Sequence, residues 1–482
     1  EAKDMTIYAF ELAERLRLPV ILRTTTRINH SRGVVTLGPL ASVQSQGRFE
    51  KNPFRLVIVP AVARQAHALL LQKLEQAATL AETCPFNIIE GDGPWGIITS
   101  GVSYNYVKDA VADLGLQAQV SILKLGFTHT LPPELLAGFL RNREKVLVVE
   151  ELEPYLEEAA LALAATRGVT VPIQGKGPGL FSRLSEYHPR LVREVIATYF
   201  GVPYQAPPPP DPAQLLGQPL PERPPNLCPG CSHRATYYAV KIALRDLNQE
   251  GVFATDIGCY TLGLLPPLSV ADFLLCMGSS ITTAAGIARA TGQKAIAFIG
   301  DSTFFHTGLP ALVNVVHNRH QLLIVVLDNG TTAMTGHQPH PGVQPPPPGY
   351  EGISLDIAEV CRALGATAVE VVNPLQYRVT LAAIKKALEQ PGVQIVVSRA
   401  PCILYLQRLQ GKKRDKAFEV GPECRDCRHC LDYFGCPALQ PSPTGEGPMH
   451  IDVSLCNACA FCLQICEKRA IRAKSRKPAS AT

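Results

Sequence analysis

At 482 residues, with 46% hydrophobic and 18% charged side chains, the chain is too long for one core and suits a modular globular protein of about three or four domains. Lysine and arginine exceed aspartate and glutamate by only 46 − 41 = 5, too little to indicate nucleic acid, and no apolar run approaches the length of a bilayer span. Neither a nucleic-acid nor a membrane partner is expected.

The chain opens at Glu1 on a helical pattern (Ala9, Phe10, Leu12, Ala13, Leu16), without an initiator methionine or the layout of a signal peptide, and reads as starting in mid-domain. Glu11 and Glu14 fall on this helix as surface charges. Residues 19–24 (PVILRT) read as a short buried strand, with Arg27 and His30 at its solvated end. A helix over 61–81 leads to an alternation: strand 96–100, helix 103–114, strand 119–125, helix 133–141, strand 145–150. Strands alternating with helices imply a parallel sheet. The proline-rich stretch 206–226 (APPPPDPAQLLGQPLPERPPN) has no periodicity and predicts an extended, semi-rigid linker.

Beyond it lies another α/β unit, with strands at 295–299, 322–327 and 395–398, helices at 279–290 and 309–318, and a loop at the proline run Pro345 to Pro348. After Lys412–Lys413–Arg414 the periodicity gives way to cysteine, proline and glycine, as when metal clusters replace much of an apolar core. The basic tail 468–477 reads as solvated surface.

Eight of the fifteen cysteines fall between positions 424 and 466, and such spacings inside a long enzyme-like chain point to a reducing cytoplasm rather than a disulfide scaffold. Cys456, Cys459, Cys462 and Cys466 form the C-x2-C-x2-C-x3-C run of bacterial ferredoxins, in which three close thiolates wrap one [4Fe–4S] cluster and the fourth reaches another. Cys424, Cys427, Cys430 and Cys436 repeat it with a two-residue insertion. One cluster is therefore expected on Cys424, Cys427, Cys430 and Cys466, the other on Cys456, Cys459, Cys462 and Cys436. Paired zinc knuckles, the alternative, would carry no third cysteine at that spacing. A cluster pair moves single electrons and does no bond chemistry, so the larger α/β part must supply them.

Gly300–Asp301–Ser302 follows one buried strand and Asp328–Asn329–Gly330 the next. In an open parallel sheet both turns lie at the carboxyl edge, where ligands bind. Asp301 and Asn329 can there converge on one hard cation such as Mg²⁺, which accepts carboxylate, amide and carbonyl oxygens while bridging two phosphates. A plain structural turn is the alternative.

Gly300–Asp301–Ser302 with Asn329 resembles the thiamine-diphosphate motif. The stretches CPGCSHR (228–234), TDIGCYTLG (255–263), CMGSSITTAAGIARA (276–290) and LDNGTTAMTGHQPHPG (327–342) resemble the large subunits of the indolepyruvate ferredoxin oxidoreductases, within the thiamine-dependent 2-oxoacid:ferredoxin oxidoreductase family. LRTTTRINHSRG (22–33), GVSYNYV (101–107), VVEELEP (148–154) and the ferredoxin module extend the likeness over the whole chain.

The resemblance implies an α/β protein of thiamine-diphosphate-binding parallel-sheet domains plus a C-terminal α+β ferredoxin-like domain. Its segments are the tail of a pyrimidine-binding domain (1–40), a transketolase C-terminal-like domain (41–205), the linker (206–226), a diphosphate-binding domain (227–410) and the ferredoxin-like domain (411–482). It implies that Asp301, Asn329 and the Thr331 carbonyl hold Mg²⁺, with Gly300, Ser302, Thr335 and Gly336 beside the diphosphate or thiazolium. Ser302 replaces the motif's usual last glycine.

It further implies a third cluster on Cys228, Cys231, Cys259 and Cys402; the alternative has Cys228 and Cys231 capping a helix near His233, with Cys259 and Cys402 as buried thiols. Cys84, Cys276 and Cys361 read as core residues. His233, His306, His337 and His340 fall near the site as scaffold residues without an assigned role. The family's catalytic glutamate belongs to a pyrimidine-binding domain ahead of Glu1, so no catalytic residue is identified, and the chain is either a fragment or completed by another polypeptide.

The implied activity is oxidative decarboxylation of an aryl 2-oxoacid with coenzyme A to an acyl-CoA and CO₂. The implied partners are a smaller β subunit in a hetero-oligomer and ferredoxin as electron acceptor. Two other readings are a non-catalytic electron-transfer subunit and a non-oxidative thiamine-dependent decarboxylase.

Overall fold

The computed structural model describes residues 1–38, 49–208, 217, 224–343, 351–411, 416–425, 427–442 and 448–475. Most of the proline-rich 206–226 stretch, all of Pro345 to Pro348 and the end of the basic tail lie outside them. The chain divides into two compact units, Glu1–Pro219 and Leu220–Thr482.

The first unit is built on strands β1 (Ile88–Glu90), β2 (Trp95–Ser100), β3 (Val120–Leu125), β4 (Lys145–Val149) and β5 (Ile173–Gln174), ordered β1-β3-β2-β4-β5. Alternate residues of each strand serve opposite faces. Ile97, Ile122 and Leu147 pack on helices Ser103–Asp113 and Pro189–Phe200, whereas Ile98, Leu123 and Val148 pack on Pro133–Arg141 and Tyr155–Thr166. Both faces are thus dry, as parallel sheets require. The sheet is not wholly parallel, because β1 runs antiparallel to β3 at the edge.

Residues 19–24 are exposed and form no strand. An apolar run becomes a strand only when a neighbour takes its backbone groups, and no described strand pairs with it. Arg27 and His30 accordingly lie on a short helix, Thr26–His30, rather than at a strand end. Arg27 Nε lies 3.2 Å from Glu186 Oε2. Glu11 and Glu14 are exposed on helix Ala2–Leu16, as expected.

The second unit holds five parallel strands, β6 (Val252–Ala254), β7 (Ala295–Gly300), β8 (Leu322–Asp328), β9 (Ala368–Val372) and β10 (Val393–Arg399), ordered β6-β7-β8-β10-β9. Phe298, Val325 and Val396 face helices Ser232–Asp246 and Tyr377–Glu389; Ile299, Ile324 and Val397 face Ser280–Thr291, Leu309–His317 and Ile357–Ala363. Each fully buried side chain of this kind contributes about 1.5–3 kcal/mol. Because all five strands point one way, the residues after β6, β7, β8 and β10 share one edge. The register sets Gly300, Leu327 and Ser398 in one row, so Asp301, Asp328 and Arg399 stand at its rim.

The cysteine-rich segment follows as two small antiparallel pairs, β11 (Lys416–Val420) with β14 (Ile471–Ser475) and β12 (Leu439–Gln440) with β13 (His450–Ile451). Phe434, Leu439, Phe461, Ile465 and Ile471 make its core, which it shares with Ala235, Tyr238 and Ile242 of helix Ser232–Asp246. Twelve of that helix's fifteen residues are buried. A helix dry all round must be covered on two sides, and here the second cover is the ferredoxin-like module.

Candidate functional site

The edge of the second sheet gathers the expected oxygen ligands. Asp301 Oδ1 accepts the N–H of Ser302 at 2.7 Å, and Oδ2 accepts those of Asn329 at 3.0 Å and Gly330 at 2.8 Å. Asn329 Oδ1 in turn accepts the Thr331 N–H at 3.1 Å. Asp301, Asn329 and Thr331 are all buried. A carboxylate holding three N–H donors keeps lone pairs for a cation. Among the described residues the buried hydroxyls of Thr331 and Ser280 have no partner, as fits an edge made for an oxygen-rich ligand.

Gly300 is required here, since a Cβ would stand 2.4 Å from the Tyr260 ring. That ring is braced by Tyr260 Oη donating to Ile257 O at 2.8 Å. Ser302 Oγ accepts from Thr332 Oγ1 at 2.9 Å, tying the two turns together through a residue with no assigned role in the sequence. Thr335 and Gly336 lie at an exposed turn of the same loop, where Thr335 Oγ1 donates to Gln338 Oε1 at 2.7 Å.

Three further groups escaped sequence reasoning as functional residues. Asp256, inside TDIGC, accepts the N–H of Gly278 at 2.6 Å and Ser280 at 3.0 Å, fixing the start of helix Ser280–Thr291 against the edge. His340 Nε2 lies 3.1 Å from Asp301 Oδ2, and His233 Nε2 lies 3.2 Å from Asn329 Nδ2. Burial drops the His233 imidazole to about 4, against the pull of Asp301. A buried polar side chain beside a strand-end turn was the available signal. His337 instead stacks on Tyr405.

The four scattered cysteines reach the same edge. Cys259 follows β6, Cys402 follows β10, and the Cys402 N–H donates to Asn329 O at 2.9 Å. Burial pushes the Cys259 thiol up to about 11, with Cys402 and Cys228 adding to the rise; burial and Cys402 raise Cys228 likewise. These three thiols therefore crowd one another. Cys231 is the N-cap residue of helix Ser232–Asp246, and burial pushes its thiol up to about 12. Its side chain makes no cap hydrogen bond to that helix, and Cys228 is among the groups that add to the rise.

The eight C-terminal cysteines sort four and four. Cys436, Cys456, Cys459 and Cys462 line one cavity, and Cys424, Cys427, Cys430 and Cys466 line another. Burial raises Cys462, with Cys459, Cys436 and Cys456 adding to it; burial pushes Cys430 up to about 11, with Cys427, Cys424 and Cys466 adding. Protonated thiols in such a set become ligands only when a cation displaces their protons. Among the described residues no three His, Cys, Asp or Glu side chains converge on one metal ion. A cubane places its irons at separate corners, so its ligands surround a cavity rather than a point.

The cysteine loops turn left-handed at Arg428, Ala458 and Ala460, a conformation that cysteine spacing alone does not announce. The Ala458 and Ala470 N–H groups donate to the sulfurs of Cys456 and Cys466 at 3.4 and 3.3 Å. The CPGC loop packs directly on this module. Asn457 Nδ2 donates to Pro229 O at 2.7 Å, and a Cβ on Gly230, whose φ is +78°, would meet the Cβ atoms of Asn457 at 3.2 Å and Cys459 at 3.4 Å. Cys276 is exposed rather than a core residue, because it lies in the turn ahead of helix Ser280–Thr291; Cys84 and Cys361 are buried.

Residues 256–398 match the family model of the thiamine pyrophosphate enzyme C-terminal TPP binding domain. The span contains Asp256, Asp301, Asn329 and Thr331. The chain is 44% identical over 477 residues to indolepyruvate oxidoreductase subunit IorA of Methanothermobacter marburgensis, an overlap of 98% of this chain and 75% of that protein. It is 43% identical over 492 residues to the IorA subunit of Thermococcus kodakarensis, with 97% and 75% covered. For the Archaeoglobus fulgidus subunit the identity is 39% over 481 residues, with 98% and 75% covered.

Proposed function

The chain belongs to the IorA subunit family of indolepyruvate oxidoreductases, and from that premise we propose that it is the large subunit of a hetero-oligomeric, CoA-acylating 2-oxoacid:ferredoxin oxidoreductase acting on an aryl 2-oxoacid. One observation carries this reading: the Cys402 N–H to Asn329 O bond joins a thiamine-site loop to a cysteine loop, and the CPGC loop of the same edge rests on the Cys436 cavity.

Asp301, Asn329 and the Thr331 carbonyl would hold Mg²⁺ and, through it, the diphosphate, with Gly300 and Ser302 shaping the turn beneath and Thr335 and Gly336 on the loop above. Bound thiamine diphosphate supplies the electron sink for decarboxylation of the oxoacid. The protein positions the diphosphate, keeps His233 neutral beside Asn329 and places thiols within reach of the same edge. Cys228, Cys231, Cys259 and Cys402 would hold one [4Fe–4S] cluster, and the two C-terminal sets one each. Over a turnover, the oxoacid, coenzyme A and two oxidised ferredoxins give acyl-CoA, CO₂, a proton and two reduced ferredoxins. A smaller β subunit completes the assembly.

Helices long and apolar enough to cross a membrane are absent among the described residues. The test is the purified anaerobic complex. It should contain about twelve iron and acid-labile sulfide per large subunit, bind thiamine diphosphate with Mg²⁺, and reduce viologen dye only with both oxoacid and coenzyme A. Dye reduction without coenzyme A, aldehyde release without reduction, or absence of thiamine would overturn it.

A further inference from the structure

Arg234 has no exposed surface and is the largest fully buried side chain among the described residues. It lies on the helix that the sheet domain and the cysteine module share. Its guanidinium makes four hydrogen bonds. Nη1 donates to Phe434 O at 3.1 Å and Gly435 O at 2.7 Å; Nη2 donates to Asn226 Oδ1 at 2.8 Å and Leu227 O at 2.7 Å. All four acceptors are neutral, and no carboxylate pairs with Arg234 among the described residues.

A buried cation without an anion is costly, several kcal/mol after relaxation, so the fold must place negative charge close by. Cysteine sulfurs bound to a cluster as thiolates would carry that charge, and Leu227, whose carbonyl accepts from Nη2, directly precedes Cys228. Gly435, whose carbonyl it grips, directly precedes Cys436. The guanidinium therefore stands between the CPGC loop and the cavity of Cys436, Cys456, Cys459 and Cys462.

We propose that Arg234 is a positioning residue with an electrostatic role: the fixed counter-cation of the cluster at Cys436, which raises that cluster's reduction potential while its hydrogen bonds hold the cluster loop against the CPGC loop. A [4Fe–4S] cube on four thiolates is an anion, and reduction adds one more negative charge. A cation fixed beside it stabilises the reduced form more than the oxidised one. Among the described residues lining the other cavity, of Cys424, Cys427, Cys430 and Cys466, no arginine or lysine is buried: Arg425, Arg428 and Lys468 there are exposed. The inference rests on the cluster reading above.

The experiment uses the holo complex and two variants. Arg234→Gln keeps hydrogen-bond donors and loses the charge; Arg234→Lys keeps the charge and loses the planar fork. Iron content and the reduced-cluster EPR signals of the wild type are recorded first, and their absence would remove the cluster reading itself. In EPR-monitored titrations, Arg234→Gln is expected to lower the reduction equilibrium of the cluster at Cys436 on the order of tenfold, about 59 mV for one electron, and to lower that of the cluster at Cys228 and Cys231 in the same direction. The second module cluster serves as the reference and should hold its potential. Arg234→Lys should keep the wild-type midpoint even where it loosens the module, read as faster iron loss to a chelator. Unchanged potentials in Arg234→Gln, or equal shifts in both variants, would overturn the electrostatic role. Should Arg234→Gln fail to load iron, a lysine variant whose midpoint falls would also overturn it, and one that retains the midpoint would support it.

Discussion

The backbone N–H of Cys402 donates to the carbonyl oxygen of Asn329 at 2.9 Å, so the Cys402 loop and the Asn329 loop are held as one piece. The bond uses the main chain, leaving the Cys402 thiol for other work. Cys402→Ser should therefore keep thiamine diphosphate affinity within about twofold while iron falls from about twelve to about eight per chain, because one cluster is lost. Isothermal titration with thiamine diphosphate and a colorimetric iron assay on the same sample check this. Unchanged iron would mean that Cys402 is a buried thiol and no ligand.

Asp301 anchors the neighbouring turn through three backbone donors while serving as the proposed carboxylate ligand of Mg²⁺. Asp301→Asn keeps the side chain's size but removes the charge and turns one acceptor into a donor facing N–H groups. Loss of metal-assisted thiamine diphosphate binding by at least about a hundredfold is expected, exceeding the 10–100-fold typical of partners outside the coordination sphere. The Mg²⁺ dependence of thiamine diphosphate binding, followed by tryptophan-independent calorimetry, reads it. Retained Mg²⁺-dependent affinity would dismiss Asp301 as a ligand.

The two cavities pair cysteines from both motifs, with Cys466 joining Cys424, Cys427 and Cys430, and Cys436 joining Cys456, Cys459 and Cys462. Cys466→Ser should then alter the same EPR signal as Cys427→Ser, and Cys436→Ser the same signal as Cys459→Ser. Pairing by motif instead, with Cys466 and Cys459 affecting one signal, would reject the crosswise assignment.

Much of this arrangement was legible in the sequence, for physical reasons. The strand–helix alternation in 96–150 and 295–328 is strongly periodic, and helix Pro133–Arg141 falls where its pattern ends. Cysteine spacing announced the module, because closely repeated cysteines with proline and glycine leave little apolar periodicity for an ordinary core. The sequence pattern did not show that 19–24 would be unpaired, since an apolar run carries no information about its partner. Nor did it single out Arg234, His340 or Asp256, whose roles depend on long-range contacts: Arg234 meets Gly435 across 201 residues. Thr335 shows the converse, a residue implied by resemblance whose hydroxyl is engaged by Gln338.

Glu150, in the VVEELEP stretch of the first unit, gives a prediction with a defined pH sign. Its carboxylate is buried and accepts the N–H groups of Leu156 at 2.8 Å and Glu157 at 3.0 Å at the start of helix Tyr155–Thr166. Burial raises its pKa, and the two N–H groups and Lys176 only partly offset it. The folded state therefore holds this proton more tightly than the unfolded chain. The resulting stability is fully present below the unfolded carboxyl value and is lost as pH rises through the folded one. Glu150→Gln does not titrate and places an amide donor against one N–H, so it should be destabilised by an amount that shrinks as pH rises from about 4 to about 8. Thermal unfolding of both proteins across that range measures the difference. A gap that widens with pH would show that the N–H donors outweigh burial and that Glu150 is held ionised.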